Sequence, residues 1–439
     1  MNNNTSDDFF LAIRPLLFVS RALGLAPFTY VKKTLPAGRK CEQLEHSSAA
    51  LIYSIFVAAL CLCLILISII LKRAFVYTVL AETDAVLDML LCTVSITSLV
   101  SLALGLTTSR NTIVRIMRII VEIDLIISES YMDYYKRAKN CLIVQLFVTF
   151  IFVGFKFTYD YTTWGSTYGL KVLLYGHTYV DTLVEWLVVL QFMNMVIWLK
   201  DKFSLLNRRL SILSGIFETE NSVEGFYLAL LKKTCSINIK EVKPQITQKD
   251  ILTFNSVHDM LCDTVLLVKS TYEVQIFFSL LSTFVCITIL LYFGLCFLYG
   301  YVGADSTGIS ASRFVVCSMI GSLLHVAKLL CITIPCHSAN NKMAHTSTLL
   351  RKLLLAFHGD PGTMRELERF SKHVALRKFK FTVFGFLSLD LSLLVSMMGA
   401  VATYLVILMQ FKMSINASPA CSKNVTAYVS DNAVSSNFE

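Results

Sequence analysis

Seven stretches of this chain are each long and apolar enough to cross a bilayer, and nothing else in the sequence constrains the fold as strongly. A spanning helix needs about 20 mostly apolar residues for a hydrocarbon core roughly 30 Å thick, because lipid offers backbone groups no partner except their own helix. Ser47–Leu71, Val274–Ala304 and Leu391–Phe411 meet this test without a formal charge. Met89–Ser109 also qualifies, after an acidic lead-in at Glu82, Asp84 and Asp88. Three further stretches, near 140–164, 172–199 and 313–336, are as apolar but hold ionisable groups: Lys156 and Asp160, then His177, Asp181 and Glu185, then His325 and Lys328. The 439 residues are 55% hydrophobic and 16% charged, with a mean hydropathy of +0.64. A soluble domain is about 45–50% apolar and about 25% charged. A soluble enzyme, a disulfide-stapled secreted module and a disordered chain are thereby excluded. The expected fold class is an all-α membrane protein with seven transmembrane helices.

Charge sets the expected orientation, since Lys and Arg accumulate in cytoplasmic connections. Of the 39 Lys and Arg, 31 lie in the N-terminal segment and the 2–3, 4–5 and 6–7 connections, and only 5 in the alternate connections and the C-terminal tail. This predicts a cytoplasmic N-terminus and an extracellular C-terminus. The first 48 residues contain no signal-type apolar core, so span 1 is expected to act as its own insertion signal. A G-protein-coupled receptor has the opposite orientation. Its Asn-Pro-x-x-Tyr in span 7 and Asp/Glu-Arg-Tyr after span 3 are also missing. The net charge of +9 follows from basic loops facing anionic lipid, so no nucleic-acid partner is expected. Sequons at Asn3 and Asn4 fall on the predicted cytoplasmic side and read as chance matches. Those at Asn416 and Asn424 fall in the predicted outside tail, where Asn424 is the better glycan acceptor.

The inside connections have the composition of helices. Ile113, Ile116, Ile120, Ile123 and Ile127 recur at spacings of 3 and 4, as do Phe203, Leu206, Leu210 and Leu213, and again Ile251, Phe254, Val257, Leu261, Val265 and Val268. Such stripes predict that spans 2, 4 and 5 run on into the cytosol as amphipathic helices that pack together. Residues 217–248, with Pro244, read as a linker. The expected organisation is a cytoplasmic segment 1–48, spans 1–4 with the 2–3 connection in 49–200, a cytoplasmic helical anchor 201–273, spans 5–7 in 274–411, and an extracellular tail 412–439.

Span 7 ends Thr403-Tyr404-Leu405-Val406-Ile407-Leu408-Met409-Gln410-Phe411. A Thr-Tyr pair, five aliphatic or similar residues and Gln-Phe resembles the C-terminal signature of insect gustatory receptors. Phe381 through Asp390 (FTVFGFLSLD), Pro335-Cys336-His337 and Pro15 through Pro27 (PLLFVSRALGLAP) are similar to other parts of that family. The resemblance implies a ligand-gated, nonselective cation channel in the plasma membrane of gustatory neurons. It implies assembly as a homo- or hetero-tetramer through a cytoplasmic bundle, with the last helix of each subunit lining the pore.

By the same resemblance the outer end of span 7 lines that pore. An aliphatic run broken only by Thr403, Tyr404 and Gln410 suits a water-repelling constriction beside a neutral polar ring. Ile407 and Phe411 are the gate candidates and Gln410 the polar ring. Asp390, at the inner start of the span, is expected either to line the cytoplasmic exit or, in the preferred reading, to pair with a neighbouring Lys or Arg.

The outer halves of spans 3 and 4 are rich in polar and aromatic residues: Tyr159, Asp160 and Trp164, then His177, Asp181, Glu185 and Trp186. His177, Asp181 and Glu185, spaced i, i+4, i+8, share a helix face. Ionisable groups in a span face the protein interior or a watery cavity. Aromatic rings beside carboxylates suit a polyol or a cationic alkaloid. Equally, the rings form an interfacial belt and the acids pair with Lys156, Arg313 or Lys171. Tyr292 and His325 are secondary candidates, and Lys328 is expected in a buried ion pair. The tastant expected from the resemblance is a bitter plant compound, with a fructose- or inositol-type polyol as the alternative.

No Gly-x-Ser-x-Gly or His-Glu-x-x-His is present, and the 13 cysteines include no Cys-x-x-Cys, so neither enzyme, cofactor nor metal is expected. Readings from other classes are a seven-helix G-protein-coupled receptor of reversed topology and a partner subunit that binds no ligand itself.

Overall fold

The computed structural model describes residues 5–34, 40–75, 81–127, 132–168, 175–214, 246–300, 311–357, 359–377 and 379–435. Helix α1 (Thr5–Ala22) leads into an antiparallel hairpin, β1 (Phe28–Thr34) and β2 (Lys40–His46). Then come α2 (Ser48–Phe75), α3 (Ala81–Leu106), α4 (Thr108–Ile127), α5 (Met132–Tyr168), α6 (His177–Ser214), α7 (Gln248–Leu298) and α8 (Ala311–Ala356). Helix α9 (Pro361–Leu376), a second hairpin of β3 (Thr382–Val383) and β4 (Leu387–Ser388), and α10 (Leu391–Ser435) complete the chain. The seven helices of spanning length and composition are α2, α3, α5, α6, α7, α8 and α10, which are spans 1 to 7 in order. The two small hairpins are the only departures from an all-helical chain among the described residues. The linker read at 217–248 lies almost wholly outside them.

Five of the described helices, α5, α6, α7, α8 and α10, are far longer than a bilayer needs, at 37 to 51 residues. At 1.5 Å per residue, the 51 residues of α7 reach about 77 Å, more than twice a hydrocarbon core. The surplus is the amphipathic stripe expected from the sequence: Ile251, Val257, Leu261, Val265 and Val268 are all buried. Thr247 starts the helix with a capping box, its hydroxyl accepting from Asp250 N–H while the Asp250 carboxylate accepts from Thr247 N–H, which satisfies two end groups at once. Helix α6 likewise carries buried Phe203, Leu206 and Leu210 beyond its spanning part. Helix α8 continues through Pro335 for 46 residues.

Span 2 behaves differently from the expectation. Its continuation breaks at Thr107, between α3 and α4, although Ile113, Ile116, Ile120, Ile123 and Ile127 are buried as the spacing required. Just before the break, a Cβ on Gly105 would meet the carbonyl oxygen of Leu25 at 3.2 Å, so the chain bends where another backbone crosses it. The extensions, with α1, α4 and α9, share one apolar core at the end of the bundle that carries the basic connections, hereafter the basic end. Phe9 of α1 anchors there against Tyr135 and Trp198, ring centroids 5.7 and 5.5 Å away. Beside it, Lys202, Asp124 and Tyr135 form a buried network in which Lys202 and Tyr135 both donate to the Asp124 carboxylate.

Helix α9 returns along the α7 extension. Asp360 caps its first turn by accepting from Thr363 N–H at 3.0 Å, and Pro361 follows where a missing N–H costs nothing. The tight β3–β4 turn needs the left-handed conformation at Phe384 (φ 49°) and Gly385 (φ 77°). Phe384 N–H donates to Glu273 of α7. The chain then enters α10 through Asp390, whose carboxylate accepts from Ser392 N–H (3.0 Å) and Ser392 Oγ (2.5 Å). These bonds hold the Asp390 carboxyl below its usual range. The expected Lys or Arg partner is not there among the described residues, because the acid caps span 7 instead. Asp390→Ala is expected to cost about 1 kcal/mol, the worth of an N-cap, read as a lowered thermal midpoint of the solubilised protein. Asp390→Asn, which still caps, is expected to lose little.

Candidate functional site

Two features stand out from the packing: a hydrogen-bonded polar system at the short-loop end among spans 2 to 6, and an uncovered stripe along span 7.

Asp160 of α5 is the hub of the first. Its carboxylate accepts from Lys156 Nζ one turn earlier (2.5 Å), from the Tyr179 hydroxyl of α6 (2.7 Å) and from Cys317 Sγ of α8 (2.8 Å). Lys156 also lies 3.5 Å from Cys317 Sγ. The Tyr179 ring meets Phe157 edge-on at 5.0 Å, and the Tyr159 hydroxyl donates to the Arg313 carbonyl at 3.2 Å. Three spans therefore meet on one carboxylate.

One turn deeper, the face read from the i, i+4, i+8 spacing points inward as expected. Asp181 is 1% exposed and accepts from Ser95 Oγ of α3 at 2.7 Å. Glu185, also 1% exposed, accepts from Lys328 Nζ at 2.7 Å, the buried pair expected for Lys328. His177 stands half-buried at the start of this face and Trp186 half-buried beside it. His325, one turn from Lys328, keeps its Nδ1 buried without a hydrogen-bond partner among the described residues, as do Gln275 Oε1 and Ser279 Oγ of α7. A buried polar atom left unpaired costs about 1–3 kcal/mol, so these atoms suit a hydrogen-bonding guest, whether water or ligand.

One candidate stands elsewhere. Tyr292 packs in a separate apolar cluster of α3, α7 and α8 with Phe293 and Phe314. The Trp164 side chain lies outside the described ones. Reasoning from sequence missed Ser95 and Cys317, because both sit in otherwise apolar spans and only the fold brings them to the acids. Of the cations expected to answer the acids, Lys156 takes Asp160, and the buried pair expected for Lys328 is with Glu185.

Span 7 is the least covered of the seven. Only 11% of its most apolar stretch is buried, against 72% in α6. Leu393 and Val401 hold it to the chain, and Tyr404 meets Phe284 of α7 edge-on at 5.7 Å. On another face, Ser392, Ser396, Gly399, Thr403, Ile407, Gln410 and Ser414 are all exposed. Their spacings of 4, 3, 4, 4, 3 and 4 keep them on a single line along a helix. Ile407 and Gln410 belong to this line, while Tyr404 flanks it toward span 5 and Phe411 is exposed next to Gln410. Residues 412–435 continue the same helix. Asn424 lies on it, with its side chain outside the described ones. The small and polar members Ser392, Ser396 and Gly399 carried a legible signal, the heptad-like spacing, that attention to the end of the span passed over.

The fold is similar to that of an insect olfactory receptor, OR5 from Machilis hrabei. The TM-score is 0.63 at 13% identity, covering 91% of this chain and 97% of that one. The structure of the same receptor in complex with eugenol matches with a TM-score of 0.62 at 11% identity, covering 92% and 98%. No curated protein sequence matches significantly. A sequence profile described as 7tm Chemosensory receptor matches residues 13–415, nearly the whole chain. Seven helices of spanning length, a bundle shared with an insect olfactory receptor and this profile together make the chain a multi-pass membrane protein of the 7tm chemosensory receptor family.

Proposed function

We propose that the chain is a gustatory receptor subunit: a ligand-gated, nonselective cation channel of four subunits in the plasma membrane, opened by a small non-volatile tastant. The observation that carries this reading is the stripe on α10. Facing lipid, it would strand Ser396 and Gln410 in hydrocarbon, whereas the Thr403 hydroxyl donates to the Gly399 carbonyl. Facing a central axis shared with three copies, it lines water with hydroxyls and amides and places Ile407 as an apolar constriction next to Gln410. The positive-inside balance supports a cytoplasmic N-terminus, a cytoplasmic basic end and an outside tail carrying Asn424.

The tastant site in this reading is the polar system around Asp160, Asp181, Glu185 and His325. The complex of the Machilis hrabei receptor with eugenol supports a small organic ligand. Because Lys156 and Lys328 already neutralise Asp160 and Glu185, this polar system fits a neutral bitter compound better than a cationic alkaloid. The hydroxyls of Tyr179 and Ser95 favour a polyol as the second reading. Ligand-driven displacement of span 5 reaches the pore helix through the Phe284–Tyr404 contact and widens the ring at Ile407–Phe411.

Nucleotide-free excised patches test the reading, using neutral bitter compounds, fructose or inositol, and cationic alkaloids. Ligand-evoked cation current is expected there. Current that appears only in intact cells and depends on G protein would overturn it. Tyr179→Phe removes one hydrogen bond from the hub, worth about 0.5–1.5 kcal/mol. It is expected to shift the half-maximal concentration by up to about ten-fold without changing conductance.

A further inference from the structure

A cavity of about 350 Å³ opens at the basic end of the bundle, lined by Val265, Leu266 and Lys269 of α7 and by Phe379, Lys380 and Thr382 before the β3–β4 turn. Two cations border it, and neither Lys269 nor Lys380 makes an ion pair or hydrogen bond among the described residues. The nearby acids are committed elsewhere. Asp259 and Asp263 hold Arg377 at 3.1 and 3.3 Å, and the Glu273 carboxylate accepts from Phe384 N–H. The rest of the wall is Val265, Leu266 and Phe379. A pocket with two uncommitted ammonium groups, a hydroxyl and an apolar side fits an anion that carries hydrocarbon.

Its depth fits the same occupant. The hairpin tip presents Phe384 and Phe386, stacked at 6.3 Å and exposed, and Phe384 meets Phe277 of α7 at 5.4 Å. Phe277 lies eight residues beyond Lys269, about 12 Å along the helix. Aromatic residues favour the membrane interface, and basic groups one or two turns outside it lie at headgroup level. Lys269 itself precedes the start of the apolar run at Val274 by five residues.

We infer that this cavity binds the phosphorylated headgroup of an anionic inner-leaflet phospholipid, a phosphoinositide, with Lys269 and Lys380 on the phosphates and the acyl chains leaving past Phe379 and Phe384. Basic pockets beside spanning helices on the cytoplasmic side take such headgroups. The inference rests on the orientation proposed above. It also gives the lipid leverage, because the cavity joins span 5 to the segment that leads into span 7. A bound headgroup ties the two together.

The test is a titration of the purified full-length receptor in detergent with fluorescent short-chain phosphatidylinositol 4,5-bisphosphate. Saturable binding is expected, weakened at least about ten-fold by Lys269→Gln with Lys380→Gln, since charge-assisted contacts to phosphate are the strong ones. The Lys269→Arg, Lys380→Arg pair is expected to retain it. Size-exclusion profiles are compared throughout, so that a misfolded variant is recognised and the Arg pair still decides. Equal binding by wild type and the Gln pair overturns the inference. Competition by soluble inositol trisphosphate as strong as by the lipid overturns the membrane source. Loss of subunit assembly in the Gln pair, with lipid binding kept, assigns the cavity to a subunit contact instead. Because the readout is binding rather than current, this inference and the channel reading fail separately.

Discussion

Lys328→Met is expected to cost about 3–5 kcal/mol and to remove most folded receptor from the cell. Glu185 and Lys328 are 1% exposed and bonded at 2.7 Å, so removing the lysine leaves a carboxylate buried among apolar helices without its cation. Breaking a buried pair on one side is costly because the survivor keeps its desolvation penalty and loses the charge that offset it. The paired replacement Lys328→Met with Glu185→Met removes both penalties and is expected to recover most of the loss. The measurement is the monodisperse fraction and thermal midpoint of detergent-solubilised protein for the two single variants and the double. If Lys328→Met were as stable as wild type, or the double worse than either single, the pair would not hold spans 4 and 6 together as described. The same variants bear on ligand recognition. A stable double variant with an unchanged dose–response would place Glu185 outside the tastant site.

Gln410→Arg is expected to abolish ligand-evoked current while leaving surface protein at wild-type level. Gln410 is exposed on span 7, so the substitution buries no new charge within the subunit. In a four-fold assembly it puts guanidinium groups around the axis. A unit charge acting on a permeating cation about 4 Å away, at an effective permittivity of about 20, opposes it by about 4 kcal/mol. That is close to three orders of magnitude in occupancy from one subunit alone. Gln410→Ala removes the amide without adding charge. It is expected to keep the current but to change unitary conductance or reversal potential. Surface biotinylation separates loss of conduction from loss of protein. Unchanged conduction in both variants would make Gln410 an interfacial residue at the end of span 7 and would remove the pore role from the stripe.

Much of this architecture was legible because the bilayer imposes a simple rule on composition. Seven apolar runs gave seven spanning helices, and residues at spacings of 3 and 4 such as Ile116, Ile120 and Val265, Val268 are buried where that periodicity puts them. The break at Thr107 was not legible. Gly105, Thr107, Thr108 and Ser109 are weak helix formers, but such a run is tolerated within a spanning helix, and the break accompanies a crossing chain at Gly105 and Leu25. The hairpins were equally hidden, since 28–46 and 382–388 carry no alternating apolar pattern strong enough to separate strand from loop.

At the candidate site the division is sharper. That His177, Asp181 and Glu185 share a helix face, and that acids at that depth look inward, followed from helix periodicity and the cost of charge in lipid. Lys156, one turn from Asp160, was legible as a partner, whereas the fold alone settles that Lys328 answers Glu185. Lys156 comes from the same helix as Asp160, Lys328 from a helix 143 residues away from Glu185, Cys317 from that same helix as Lys328, and Ser95 from span 2. Partners across a bundle depend on how helices rotate and cross, and single-chain periodicity does not encode that rotation. The same holds for Lys269 and Lys380, which border one cavity only because the chain folds back through α8 and α9.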